Sequence, residues 1–168
     1  VVDPGARVAA RASRSGRIGV IGTQGTVASG AYQAAIRRER PDASVVARAC
    51  PLFVPLAEEG WTDASDDVVR GVVRRYLAPL RDAGVDTVVL GCTHYPLLEA
   101  AISAELPGVA LVDSARAIAA DVRERLGGSA AGAAAEHRFF VTDTPEKFLA
   151  VAGRFLGRPV VAAEHVDV

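Results

Sequence analysis

Hydrophobic positions along the chain fall into two alternating patterns. Short, almost continuous apolar runs, typical of buried strands, occupy residues 17–22, 44–50, 86–91, 109–113 and 138–143. Segments with helical signals lie between or after them, at residues 26–39, 66–83, 97–105, 114–126 and 145–156. Buried strands that alternate with amphipathic helices are typical of an α/β fold. The pattern therefore predicts a mainly parallel sheet flanked by helices.

Local signals mark several ends of these elements. Pro79 lies inside the helical pattern of residues 66–83 and predicts a kink or a break there. Thr144 is a candidate N-cap, and its helix should end at Gly157. Small residues at 127–135 indicate a loop or linker, and the last residues a short strand or tail.

Composition and charge narrow the classes of partner. Half of the 168 residues are hydrophobic, and 19 basic residues face 20 acidic ones, for a net charge of −1. This balance argues against nucleic acid as the main partner, because phosphate binding needs a basic excess. No apolar run reaches the roughly 20 residues that cross a bilayer. Two cysteines and three histidines show no disulfide framework and no metal-ligand spacing, so we expect a cytoplasmic protein with reduced thiols and no metal.

Reactive side chains follow the predicted strand that ends near residue 91. Cys92 comes directly after it, and His94 follows two residues later. Because ligands bind at the carboxyl ends of parallel strands, Cys92 lies where α/β enzymes place reactive groups. His94 could lower the pKa of the thiol or carry a proton. The alternative is a buried cysteine that acts as a small hydrophobic residue.

Other strand ends carry weaker candidates. Cys50 has no adjacent histidine or acid, which favours a packing role. Glu58 and Glu59 follow in the same segment, and one of them could face the crevice while the other is solvated. The one lysine, Lys147, lies far along the chain from these strand ends. We therefore expect no pyridoxal-phosphate chemistry, which needs a lysine.

Four segments together resemble one enzyme family. The sequence GCTHYPLL at 91–98 resembles the second cysteine motif of the glutamate racemases. Residues 16–33, 49–60 and 112–119 are similar to that family's entry strand and helix, its acid-bearing loop and its return to the first domain. The segments agree in order and spacing over nearly the whole chain.

The resemblance implies a racemase that needs no cofactor and has two pseudosymmetric α/β domains. In that family two cysteines face opposite sides of the substrate α-carbon, and one removes the α-proton while the other returns a proton. The substrate is glutamate, and the D-isomer feeds peptidoglycan synthesis in the cell wall. The resemblance also makes a homodimer possible.

Roles carry over by position. Cys92 would be the acid/base of the second domain, and His94 would assist it and contact the substrate. Thr93 would bind polar groups of the substrate, and Thr26 would add a further substrate contact. Glu58 corresponds best to the family's acid near the site, with the next residue as the alternative.

Two motifs of the family do not occur in this chain, an Asp-Ser-Gly start and a Cys-Asn-Thr motif with the first catalytic cysteine. We therefore expect residues 1–14 to be a crossover, 15–113 the second domain, and 114–168 the C-terminal portion of the first domain. Since one sulfur cannot lie on both faces of a carbon, the chain alone should be inactive. The apolar residues Ile118, Val122 and Leu126 should lack their usual cover.

Other functions remain open from the sequence. The nearest alternative is an aspartate or hydantoin racemase of the same superfamily. An alternative of a different class is a non-catalytic binding protein that retains half of the fold, and a cysteine hydrolase is a weaker one.

Overall fold

A computed structural model describes residues 2–127 and 137–167. The chain divides into two compact units, one that extends to residue 128 and one that begins at residue 129. Among the described residues, no helix is both long and apolar enough to cross a membrane.

The first unit contains a four-stranded parallel sheet, whose strands are β1 Arg17–Gly22, β2 Ser44–Ala49, β3 Thr87–Leu90 and β4 Ala110–Asp113. The strand order is β2-β1-β3-β4. The two central strands are almost wholly buried, as expected for strands that helices cover on both faces. In the register, Val20 of β1 pairs with Ala47 of β2 and with Val89 of β3. The predicted mainly parallel α/β fold is confirmed.

Helices cover both faces of this sheet. They are α1 Val2–Ala12, α2 Gln24–Ala28, α3 Ala31–Glu39, α4 Phe53–Glu59, α5 Asp67–Asp82, α6 Glu99–Glu105 and α7 Ser114–Arg125, with a short 3₁₀ helix at Tyr95–Leu98. One core joins the sheet to α4, α5 and α6, and a second core joins its other face to α1 and α3. Because the strands are parallel, their carboxyl ends lie together at one edge of the sheet.

The helix α5 illustrates how local sequence defines an element. Both Val68 and Val69 donate their backbone N–H groups to the carboxylate of the N-cap Asp66, at 2.8 and 3.0 Å. The helix then continues past Pro79 to Asp82, so the proline does not end it. Pro79 lies in the last turn, where the missing N–H removes only one bond near the helix end.

One helical prediction needed correction, and two helices were not predicted. The single helix expected at 26–39 is two helices, α2 and α3, because Gly30 adopts a left-handed conformation with φ of 65°. The helices α1 and α4 have no counterpart among the predicted elements. The helix α1 packs with its Ala6 and Ala9 fully buried, and the expectation that residues 1–14 are a crossover between domains stays a prediction.

The helix α7 belongs to the first compact unit. Its Ser114 and Ala117 are buried, and Asp121 accepts a 3.3 Å contact from Arg7 of α1. The compact unit therefore extends beyond the boundary expected after residue 113. At the end of this region, Val122 is 46% exposed and Leu126 is 66% exposed. The assignment of these segments to the domains of a longer protein stays a prediction.

The second unit is small. It contains the helix α8 Pro145–Leu156 and two short parallel strands, β5 Phe140–Val141 and β6 Glu164–His165. Thr144 is the N-cap of α8, and Gly157 ends the helix with φ of 62°, as predicted. The strand expected at 138–143 is shorter than predicted. Most of the loop expected at 127–135 lies outside the described residues.

Candidate functional site

The turn that carries Cys92 begins where β3 ends. The backbone N–H of Gly91 donates to the carbonyl of Ile21 in β1 at 2.7 Å. A Cβ atom on Gly91 would lie only 2.8 Å from that carbonyl oxygen, so glycine is required for this close approach. The N–H of Tyr95 donates to the carbonyl of Cys92 at 3.2 Å and closes the turn. The thiol is thus held at the carboxyl edge of the sheet.

The Cys92 thiol is half-buried and lies beside an imidazole. Its Sγ is 3.9 Å from Nδ1 of His94. Burial raises the pKa of the Cys92 thiol, and a hydrogen bond from the backbone N–H of His94 opposes that rise. The thiol is therefore protonated at neutral pH, and a base beside it would be needed to draw its proton away.

A carboxylate lies on the other side of the same imidazole. Oε1 of Glu58 is 3.4 Å from Nε2 of His94, and both side chains are partly exposed. Glu58 lies near the end of α4, and the fold brings it close to His94, which is far away in the sequence. Thr93 is exposed, with its Oγ1 3.5 Å from Nδ1 of His94. The predicted residues Cys92, Thr93, His94 and Glu58 therefore form one cluster.

The adjacent Glu59 takes a different position. It is exposed and borders an apolar surface pocket that includes Leu52, Leu56 and Trp61. Neighbours on a helix are rotated by about 100°, which explains why two consecutive glutamates meet different surroundings. The structure places Glu58, and not Glu59, beside the imidazole.

Thr26 lies at the same edge of the sheet. A Cβ atom on Gly22 would be 2.9 Å from its methyl carbon, and one on Gly91 would be 3.5 Å away. Its hydroxyl shares a 3.0 Å hydrogen bond with Oγ1 of Thr23, and Thr23 also caps α2 by accepting the Thr26 N–H. Thr26 is thus close to the Cys92 turn and is packed against both strand ends.

Cys50 occupies the core. It is fully buried, and its Sγ lies 3.7 Å from the carbonyl of Arg48. Burial raises the pKa of the Cys50 thiol to about 12, although the charge of Arg48 opposes the rise. The backbone carbonyl of Cys50 accepts a 2.9 Å hydrogen bond from the buried Tyr95 hydroxyl. The packing role predicted for Cys50 is confirmed.

The sequence did not single out two buried hydroxyl groups near the Cys92 turn, which belong to Tyr32 and Ser114. Ser114 donates from Oγ to the carbonyl of Leu90 at 3.1 Å. The one available signal was its position directly after a predicted strand, where polar side chains reach the same edge as Cys92. Within the described part of the chain, no group of three or more His, Cys, Asp or Glu residues is arranged to hold a metal ion.

Sequence relatives share most of this chain. A family model described as Asp/Glu/Hydantoin racemase matches residues 1–122. A glutamate racemase of Geobacter metallireducens is 55% identical over 162 residues, which cover 94% of this chain and 59% of that protein. A glutamate racemase of Neisseria gonorrhoeae is 43% identical over 172 residues, which cover 100% of this chain and 63% of that protein.

Solved structures agree with these relatives. A glutamate racemase isoform from Bacillus anthracis superposes with a TM-score of 0.87 at 36% identity, over 99% of this chain and 63% of that one. A glutamate racemase from Francisella tularensis, solved in complex with D-glutamate, gives a TM-score of 0.83 at 31% identity over 99% of this chain and 62% of that one. The chain thus spans about three fifths of the length of the relatives it matches. On the family match and these similarities, the chain belongs to the Asp/Glu/Hydantoin racemase family.

Proposed function

We propose that this chain is the part of a glutamate racemase that supplies one of two acid/base thiols, Cys92. The proposal draws on relatives that are named glutamate racemases and on a similar Escherichia coli structure with bound L-glutamate. The observation that carries it is the row formed by Cys92, His94 and Glu58, with separations of 3.9 and 3.4 Å.

In the proposed reaction, a thiolate removes the α-proton from one face of glutamate and leaves a carbanion at the α-carbon. A second thiol donates its proton to the opposite face, so one proton is taken up and one is delivered. No net oxidation occurs, and no cofactor is required. In one direction Cys92 is the base, and in the other it is the acid.

His94 and Glu58 assist this proton transfer. Glu58 favours a proton on Nε2 of His94, because a carboxylate accepts hydrogen bonds and donates none when ionised. Nδ1 of the ring then carries a lone pair, which lies 3.9 Å from the Cys92 sulfur and 3.5 Å from Oγ1 of Thr93, and it can accept the thiol proton. Thr93 and Thr26, at the same edge, contact the polar groups of the substrate in this proposal.

The second thiol has to come from outside this chain. Cys50 is the other cysteine of the sequence, but it is fully buried and its pKa is raised to about 12. Because proximity of both acid/base groups supplies much of the rate enhancement, we propose that these 168 residues alone do not racemise glutamate. The D-glutamate made by the whole protein would feed peptidoglycan synthesis.

Replacing Cys92 tests the proposal. In the full-length protein that contains this chain, Cys92→Ser should lower kcat/KM for racemisation by at least about a hundredfold, because a hydroxyl is a far weaker acid than a thiol. Cys50→Ala is the matched control and should keep most of the activity while it lowers the melting temperature. Circular dichroism during conversion of L-glutamate measures the rate, and unchanged racemisation by Cys92→Ser would contradict the proposal.

A second candidate is racemisation of aspartate or a hydantoin, because the matching family model covers all three substrate classes. The same assay with L-aspartate and a 5-substituted hydantoin separates them. The substrate with the highest kcat/KM identifies the activity.

A further inference from the structure

The peptide that precedes Cys92 is held by side chains that take no part in the proton transfer proposed above. Leu90 is the last residue of β3 and pairs with Ile21 of β1 and Asp113 of β4. Asp113, the partner of Leu90, is the last residue of β4, and α7 begins at Ser114. The side chain of Ser114 therefore lies beside the Leu90 carbonyl. Its Oγ donates to that oxygen at 3.1 Å in a buried setting.

Tyr32 supports the same peptide from α3. A Cβ atom on Gly91 would lie 3.1 Å from Cε2 of Tyr32, so the ring packs directly on the glycine before Cys92. Burial raises the pKa of the Tyr32 hydroxyl, and hydrogen bonding with the Ser114 side chain opposes that rise. Tyr32 is 2% exposed and Ser114 is 4% exposed.

The direction of these hydrogen bonds follows from the donors. A carbonyl oxygen accepts only, so the Ser114 hydroxyl proton points at Leu90. Oγ of Ser114 can then accept from the Tyr32 hydroxyl.

Ser114, Tyr32 and the neighbouring strand hold the peptide from different elements. The Gly91 N–H donates to the Ile21 carbonyl at 2.7 Å, and the Leu90 carbonyl accepts from Ser114. The Tyr32 ring lies 3.1 Å from where a Cβ atom on Gly91 would be. Cys92 is the next residue, so a movement of this peptide displaces its sulfur. In a proton transfer, a displacement of about 1 Å can cost roughly a hundredfold in rate.

We propose that Tyr32 and Ser114 are positioning residues that hold the Leu90–Gly91 peptide and thereby set the place of the Cys92 sulfur. Only the kinetic consequence rests on the proposed racemase function. The reactivity of the Cys92 thiol can be measured without it.

The opposite end of β3 provides a matched control. Ser13 is also buried, and its Oγ donates to Oδ1 of Asp86, just before β3, at 2.6 Å. Loss of either serine removes a buried hydroxyl that bonds to the β3 region, and the Ser13 hydroxyl also accepts from the Gly16 N–H at 3.0 Å. Only Ser114 borders the peptide that leads to Cys92.

The experiment uses the full-length protein with the variants Ser114→Ala, Tyr32→Phe, Ser114→Thr and Ser13→Ala. Iodoacetamide alkylation of the Cys92 peptide is followed by mass spectrometry as a function of pH. We expect Ser114→Ala and Tyr32→Phe to raise the alkylation rate near pH 8 at least about threefold, since a loosened peptide exposes the thiol and lowers its pKa. Ser114→Thr keeps the hydroxyl and should stay near the parent, and Ser13→Ala should lower the melting temperature and leave the alkylation profile unchanged.

Racemisation gives a second readout. Ser114→Ala and Tyr32→Phe should lower kcat about tenfold while KM changes less than about twofold, because the substrate contacts persist and the thiol is displaced. Tyr32→Phe keeps the ring on Gly91, so it carries the test if Ser114→Ala fails to fold.

The outcomes separate the two proposals. Unchanged alkylation in folded Ser114→Ala and Tyr32→Phe would overturn the positioning role. An equal rise in Ser13→Ala would overturn it too, because the effect would then be general loosening of the strand. If the two variants change the alkylation rate but the parent protein racemises no amino acid, the positioning role is supported and the proposed function is refuted.

Discussion

Residues of the same type lie in different surroundings in this protein. Glu58 lies 3.4 Å from His94, whereas the adjacent Glu59 is exposed beside an apolar pocket. Cys92 is half-buried at a strand end, whereas Cys50 is fully buried in the core. Chemical type alone therefore does not identify the residues of the site, and the orientation of each side chain does.

The glutamate pair offers a direct test. Glu58→Gln in the full-length protein should lower kcat about tenfold or more, because the neutral amide no longer holds the His94 proton as a carboxylate does. The matched control is Glu59→Gln, which should leave kcat and KM near the parent values. Steady-state racemisation measures both, and equal effects of the two substitutions would contradict the assigned role of Glu58.

Strand ends and helix interiors use glycine for different reasons. Gly91 follows β3, where a Cβ atom would come within 2.8 Å of the Ile21 carbonyl and 3.1 Å of the Tyr32 ring. Gly71 lies inside α5 and is exposed. Apart from its chain neighbours and the adjoining helix backbone, no heavy atom of the described residues would lie within 4 Å of a Cβ atom at this position. The first glycine is needed for close packing, and the second only weakens its helix.

Substitution by alanine should change the free energy of unfolding in opposite directions at these two glycines. Gly91→Ala should lower the free energy of unfolding by about 1–3 kcal/mol, because backbone and a buried ring would have to move. Gly71→Ala should raise it by about 0.5–1 kcal/mol, because alanine costs less backbone entropy in a helix. Urea unfolding followed by far-UV circular dichroism measures both, and a stabilising Gly91→Ala would be incompatible with this packing.

At the scale of the whole molecule, Asp86 joins the first helix to the centre of the sheet. Its Oδ1 accepts from Ser13 at 2.6 Å, and its Oδ2 accepts from the backbone N–H groups of Arg14 and Ser15 at 2.9 and 2.6 Å. Thr87 donates to Oδ1 as well. Burial by itself would raise the pKa of Asp86, but these hydrogen bonds outweigh it and hold the pKa well below its usual range.

The depressed pKa predicts a loss of stability in acid. The unfolded carboxyl titrates near its ordinary pKa of 3.8, so the stabilising contribution is complete above that pH. It is lost progressively as the pH falls below about 4 toward the lower folded-state pKa. Thermal melts between about pH 5 and pH 2 should therefore show a steeper decline for the parent chain than for Asp86→Asn.

Asp86→Asn should also be less stable at neutral pH, because the amide cannot accept all of these bonds with both of its polar atoms. Asp67→Asn is a suitable control, since Asp67 is exposed and its ion pair is with Arg70 of the same helix. Identical acid profiles for the parent and Asp86→Asn would contradict the role of this carboxylate.

Much of the secondary structure and the place of the Cys92 thiol could be predicted from the chain. Apolar runs marked β1 to β4, since a strand buried on both faces needs consecutive hydrophobic residues. Cys92 and His94 stood out because they follow such a run directly. The break at Gly30 and the helices α1 and α4 were missed. The helix α1 contains Pro4 and Gly5, and α4 contains Pro55, and these residue types have low helix propensity and indicate turns.

Contacts across the sheet were beyond the reach of local patterns. The strand order places β1 between β2 and β3, and this arrangement brings Glu58 to His94 and Ser114 to the Leu90 carbonyl. Tyr32 reaches Gly91 only because α3 packs on the face opposite α5. Periodicity along a chain reports which side of an element is apolar, but the partner that each buried side chain meets depends on how the elements pack.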